Sequence, residues 1–318
     1  MDRNCSKELR RFLIDTDTGS DDVWAVIEAL RATDIVRVEA ITVVCGNLPL
    51  DLCVKNAMLA VDAAGTYAPP VYRGMEHPLF NPEAFYAPDV HGADGLGGMD
   101  LPPSPRPVER KHAVDAIIDL VMANPGQIEI VTCGPLTNLA AALEKEPQLA
   151  KNIQKVWVLG GSAGGAGNMT PNAEFNIYAD PEAADIVLRA GMETLWVTWD
   201  SAVGDAEITP DEVAALYSSG DGAAVFCARC THTLREYYLK KYGRNTFAVI
   251  DSLVMTAALF PEVMEQTFRT SCCVELAQGD MRGFFRMDRT KTPNAAVCSA
   301  VNPDRFKARL FALLGAGA

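Results

Sequence analysis

Apolar runs that read as strands alternate with helical spacing along the first two hundred residues. Phe12 to Ile14 is a short apolar run leading into an Asp-rich turn, and Val23 to Ala32 then carries helical spacing. Val36 to Cys45 is β-branched and stops at Gly46, whereas Leu50 to Ala64 is a run of good helix formers stopping at Gly65. The same alternation continues with a helix over Ala113–Ala123, a strand over Ile128–Cys133 and a helix over Leu136–Leu143. A strand over Val156–Leu159, a helix over Pro181–Arg189 and a strand over Thr194–Thr198 follow. This order predicts an α/β fold with a mostly parallel central sheet flanked by helices.

Beyond Asp200 the pattern changes. Thr209 to Lys241 reads as helical without an interleaved strand, Thr267–Leu276 and Phe284–Val301 read as strands, and Pro303–Leu314 as a closing helix. No Pro/Ser-rich linker or fixed-period repeat divides the chain. The expectation is one domain over residues 1–318, with a helical excursion at about 205–250 and a C-terminal β segment.

Composition narrows the classes of function. With 28 Lys+Arg against 41 Asp+Glu the net charge is −13, and no basic cluster exists to neutralise phosphates, so a nucleic-acid or anionic-membrane binder is excluded. Hydrophobic residues at 49% supply ample core. Met1 to Arg11 has no apolar stretch of the kind a secretion signal needs, and the Gly-rich run from Val156 to Ala173 cannot span a bilayer. Nine cysteines, mostly in apolar segments, suit reduced thiols, and the expected location is the cytoplasm. Cys227 and Cys230 have a C-x-x-C spacing, but no second such pair completes a zinc site, so they read as packing thiols.

Two segments carry chemistry. Asp15, Asp17, Asp21 and Asp22 fall within eight residues after the first strand, the edge where open α/β sheets collect ligands. Four carboxylates so close repel one another unless a cation compensates. A solvated turn with an Asp N-cap explains one or two of them, not four, and a set of oxygen ligands on a turn suits a hard divalent ion. The second segment, Gly167 to Asn176, brings Asn168, Glu174 and Asn176 to another strand's edge. Such donors and acceptors suit a polyhydroxylated ligand; a capped surface loop is the plainer reading.

Together these segments resemble the inosine-uridine preferring nucleoside hydrolase family. The resemblance rests on DTDTGSDD at 15–22, VVCGN at 43–47, HGADGLGG at 91–98, CGPLTNLA at 133–140 and GNMTPNAEFNIYADPEAA at 167–184. Asp251 and TKTPNAAV at 290–297 complete it. It implies Ca²⁺-dependent hydrolysis of the N-glycosidic bond of ribonucleosides. Asp17, Asp22, Asp251 and the backbone carbonyl of Cys133 would be metal ligands, Asp17 also the catalytic base, and Asp15 a support behind them. Asp21, Asn168, Glu174 and Asn176 would hold the ribose. Asn47 would lie near Asp21 and His91 near the nucleobase, with Phe175 and Tyr242 also counted as substrate-binding. The resemblance further implies a homodimer or homotetramer.

One position departs from the pattern. Where the best-known branch has a histidine that protonates the leaving base, this chain has Ile250, which has no proton to give. His232 and Tyr242 are the replacement candidates. Two alternatives stay open at this point: a nucleoside-binding protein without turnover, suggested by Ile250, and an aspartate-based phosphohydrolase, suggested by Asp15-Thr16-Asp17. The latter fits less well because Gly19 stands where that class has Thr or Val.

Overall fold

The computed structural model describes residues 9–81 and 83–316. The chain opens with β1 (Arg10–Thr16), α1 (Asp22–Arg31), β2 (Val36–Val43), α2 (Leu50–Ala64) and β3 (Val71–Arg73). A long connection bearing the short α3 (Pro88–His91) leads to α4 (Ala113–Ala123), β4 (Ile128–Thr132), α5 (Thr137–Lys145) and α6 (Leu149–Asn152). Then come β5 (Lys155–Leu159), a Gly-rich loop, α7 (Phe175–Ala179), α8 (Pro181–Arg189) and β6 (Thr194–Val197). The expected helical excursion resolves into α9 (Pro210–Ser218), α10 (Gly222–Cys230) and α11 (His232–Tyr242), followed by α12 (Ile250–Leu259). The chain closes with β7 (Met264–Val274), β8 (Phe285–Asp288), β9 (Ala295–Val301) and α13 (Pro303–Leu313).

The nine strands form one sheet in the order β3-β2-β1-β4-β5-β6-β9-β7-β8. Pairings from β3 through to β9 are parallel, and only β9–β7 and β7–β8 are antiparallel. The run Phe284–Val301, expected as one strand-like stretch, is two strands separated by a turn at Arg289–Asn294. Thr290 and Lys291 fold back on Asp288 there, which ends the first of them.

Side chains alternate across the sheet as the pleat requires. Phe12 and Ile14 of β1 enter a core built with α1, α2, α12 and α13, while Leu13 enters a second core with α4, α5 and α8. Covering both faces is what leaves β4 and all but the first residue of β5 buried. Among the described residues no helix is long and apolar enough to cross a membrane.

The topology fixes where a ligand can go. From β1 the sheet grows one way through β2 and β3 and the other way through β4, β5 and β6. The carboxyl ends of β1 and β4 therefore flank a switch point, where loops diverge and leave a crevice.

Candidate active site

The Asp-rich turn runs from the end of β1 into the start of α1, and its side chains fold inward because the local backbone supplies donors. Asp22 accepts from Thr16 Oγ1 at 2.5 Å, from the Gly19 N–H at 2.8 Å and from Asn47 Nδ2 at 3.1 Å. Asp17 Oδ2 accepts the Asn47 N–H at 2.6 Å. Two glycines make room for Asp17. A Cβ on Gly46 would sit 2.1 Å from its Oδ2, and one on Gly134 would sit 2.7 Å from its Oδ1. Asp15 lies behind, accepting from Thr42 at 2.5 Å and from Asn138 at 2.8 Å, while its carbonyl takes the Cys133 N–H at 2.8 Å. It thus ties β1 to the residue after β4.

Asp251 reaches the same place from the first turn of α12. Carboxylate oxygens of Asp21, Asp22 and Asp251 lie within 4.8 Å of one another, all buried. Asp17 is outside that trio of oxygens but close enough to repel it. Burial first, then mutual repulsion, pushes the Asp17 and Asp251 carboxyls well above the usual range. The same causes bring Asp21 up to about 7, and burial also raises Asp22. Among the described residues no Lys or Arg pairs with any of the four. His91 Nδ1 stands 3.6 Å from Asp21, but burial lowers His91 to about 4, so the ring is neutral at neutral pH. Asp17 Oδ1 and Asp21 Oδ1 are buried with no hydrogen-bond partner. Buried carboxylates without compensation and with open lone pairs are a donor set that fits a hard divalent cation.

Above this acidic pit lies a cleft of about 790 Å³. Asp21, Asn47, His91, Cys133, Asn168, Glu174, Phe175, Asn176, Tyr242 and Asp251 all line it, as does Ile250. Asp17, Asp22 and Asp15 lie beneath it. Asn47, expected near Asp21, lines the cleft with it and hydrogen-bonds to Asp22 and Asp17.

The ribose candidates are built into the backbone. Glu174 caps α7: Oε1 accepts the Asn176 N–H at 2.9 Å, and Oε2 accepts the N–H groups of Gly161 at 3.1 Å and Ile177 at 3.2 Å. Burial nevertheless raises its carboxyl to about 7. Asn176 Nδ2 donates to the Cys133 carbonyl at 2.8 Å, and Asn168 Oδ1 accepts the Phe175 N–H at 2.8 Å. Each amide keeps its other end for a ligand. His91 Nδ1 accepts the Ser20 N–H at 3.2 Å, which places the neutral ring's proton on Nε2.

The structure separates the two candidates for the leaving-group acid. Tyr242 lines the cleft in an aromatic group with Tyr237 and Tyr238, and the Arg244 guanidinium lies 5.1 Å from its ring centre. His232 is 58% exposed, pairs with Glu236 at 3.4 Å and lines a separate surface groove. Trp199 also faces the cleft, and its Nε1 donates to the Ala166 carbonyl at 3.0 Å. Leu234, Tyr237 and Tyr238 of α11 also line this cleft, where α11 packs over α3. Cys227 and Cys230 are buried thiols, and the eight described cysteines are all free.

The profile of the inosine-uridine preferring nucleoside hydrolase family matches residues 12–308. The chain belongs to that family. It is 33% identical over 279 residues to the probable uridine nucleosidase 2 of Oryza sativa subsp. japonica, covering 87% of this chain and 82% of the relative. A solved plant nucleoside hydrolase superposes with a TM-score of 0.91 at 31% identity, over 97% of this chain and 99% of that one. The purine-preferring ribonucleoside hydrolase of Gardnerella vaginalis follows at 0.89 and 29%, over 96% and 98%. The chain is therefore a nucleoside hydrolase, an enzyme that hydrolyses ribonucleosides, and neither the phosphohydrolase nor the binding-protein alternative is favoured.

Proposed function

We propose that the chain is a Ca²⁺-dependent ribonucleoside hydrolase, with the ion in the acidic pit and the nucleoside in the cleft above. The observation that carries this reading is four buried carboxylates at the switch point with two unpartnered oxygens and, among the described residues, no Lys or Arg paired with them. Asp17, Asp22, Asp251 and the Cys133 carbonyl would hold the ion. An all-oxygen set suits Ca²⁺ better than a metal that seeks His or Cys. When bound, the ion supplies positive charge that offsets the carboxylates, acidifies a nearby water and anchors the ribose diol.

The side chains do the rest. Asp17 Oδ1, open and held between Gly46 and Gly134, takes the proton of the attacking water. Asp21 and the free Oδ1 of Asn176 accept ribose hydroxyls, while Asn168 Nδ2 and the remaining lone pairs of Glu174 grip the sugar further out. These oxygens also favour the positive charge that develops on the ribosyl ring as the glycosidic bond breaks. Tyr242 is the proposed proton donor to the departing base, with the His91 Nε2–H as a second hydrogen bond at that end. Ile250 contributes an apolar wall. The expected assembly is a homodimer or homotetramer in the cytoplasm, and light scattering tests its size.

A panel of uridine, cytidine, inosine and adenosine, assayed by reducing-sugar release, tests the reading. Uridine enters because of the plant relative's name, inosine because of the family's. Release should stop with chelator and return with Ca²⁺. Turnover indifferent to chelator would sink the ion's role.

A further inference from the structure

The acidic pit draws its carboxylates from two helices, α1 and α12, whose first turns converge on it. Asp22 opens α1, and Asp251 is the second residue of α12. Six residues beyond Asp22, Glu28 is fully buried in the seam between these helices. Its Oε1 accepts from Thr256 Oγ1 at 2.5 Å and its Oε2 from Ser252 Oγ at 3.2 Å. Ser252 follows Asp251 directly, and Thr256 stands one turn further along the same face of α12. Around these groups both helices are apolar and buried, as at Trp24, Ile27, Leu253 and Met255.

Packing alone does not call for a carboxyl here, since an apolar side chain would fill the space without the cost of burying a polar group. What the three polar groups add is direction. Apolar seams tolerate small axial slides, whereas two hydrogen bonds to hydroxyls one turn apart are satisfied at a single register. The register of α12 against α1 decides how far Asp251 stands from Asp21 and Asp22. Hard cations need oxygens at about 2.3–2.6 Å from the ion, so a slide of an ångström matters.

We propose that Glu28 is a positioning residue for the cation site, locking α1 to α12 and so setting the gap across the acidic pit. The inference rests on reading that pit as the cation site. Burial raises the Glu28 carboxyl to about 8, so at neutral pH it adds no charge to the pit and glutamine is a close mimic.

The test is Ca²⁺ titration by calorimetry of the intact wild-type chain, Glu28→Leu, Glu28→Gln and the double variant Ser252→Ala/Thr256→Val, each with its melting temperature in chelator. Glu28→Leu and the double variant should both bind Ca²⁺ at least tenfold more weakly; in chelator Glu28→Leu should melt at or above wild type, and the double variant below it, because it leaves the buried carboxyl without partners. Glu28→Gln should stay within about threefold of wild type, and adding Glu28→Leu to the double variant should cost nothing more. Should Glu28→Leu fail to fold, the double variant makes the same test. Unchanged affinity in the folded variants, whatever their melting temperatures, overturns the proposal. A wild-type chain that binds no divalent cation overturns instead the reading of the pit.

Discussion

Replacing Glu174 with glutamine should change stability in opposite directions at the two ends of the pH range. The carboxylate accepts three backbone N–H groups, from Gly161, Asn176 and Ile177, yet burial raises it from 4.5 to about 7. In the native state the proton is held more tightly than in the unfolded chain. The wild type is therefore most stable below about pH 4.5 and loses that contribution as pH rises through about 7. With 1.36 kcal/mol per pKa unit, the loss between pH 5 and pH 8 comes to about 2–3 kcal/mol. Glutamine does not titrate, but its NH₂ meets at least one backbone N–H, leaving a buried donor orphaned at about 1–3 kcal/mol.

At pH 5 the variant should thus be the weaker protein. By pH 8 the difference should have moved about 2–3 kcal/mol in its favour, making it equal or better. Urea unfolding of both proteins in chelator at the two pH values measures this directly. An offset that stays constant within 1 kcal/mol would refute the claim that Glu174 sits there at the expense of stability. Activity should fall at both pH values, since a lost bond to a ribose hydroxyl costs about 5- to 150-fold in kcat/KM.

Asp17→Asn should fold and lose several orders of magnitude in kcat, because both the base and a ligand are impaired; near wild-type turnover would remove Asp17 from the mechanism. Ca²⁺ at a hundred times its dissociation constant should stabilise the wild type by about 2.7 kcal/mol over the chelated protein in denaturant titrations, and no shift would argue that the pit holds no ion. Asn176→Ala should cost about 5- to 150-fold in kcat/KM on ribonucleosides, and unchanged kinetics would dissociate it from ribose binding. Tyr242→Phe should slow uridine or inosine far more than a p-nitrophenyl riboside, whose leaving group needs no acid, while His232→Ala leaves both alone. Equal losses on both substrates in Tyr242→Phe would count against a proton-donor role.

The parts of this structure that were legible in the sequence are those encoded locally. Alternating β and α runs showed the parallel sheet, and four aspartates within one turn marked the pit because nothing but proximity was needed to see their repulsion. The cleft's far wall was not legible. His232 and Tyr242 are the opposite ends of α11, about 15 Å apart along its axis, and of the two only Tyr242 reaches the cleft. Helical spacing cannot say which without knowing what α11 packs on. Trp199 was missed for a related reason: it follows a buried strand, and an aromatic there reads as core. Glu174 looked like a pure ligand-binding residue, whereas its first task is to hold the N-terminus of α7, a role visible only once Gly161 is seen to approach from β5.

The place of β9 in the sheet has a consequence for how the chain is made. It lies between β6 and β7, so the last strand synthesised is an interior one. Until residues 295–301 have emerged, the β7–β8 hairpin has no partner on its β9 side and β6 presents a bare edge. A nascent chain stalled at residue 290 would carry two open edges in place of a closed join, and exposed edges of that kind recruit other strands. Stop codons between β8 and β9 should accordingly yield aggregates.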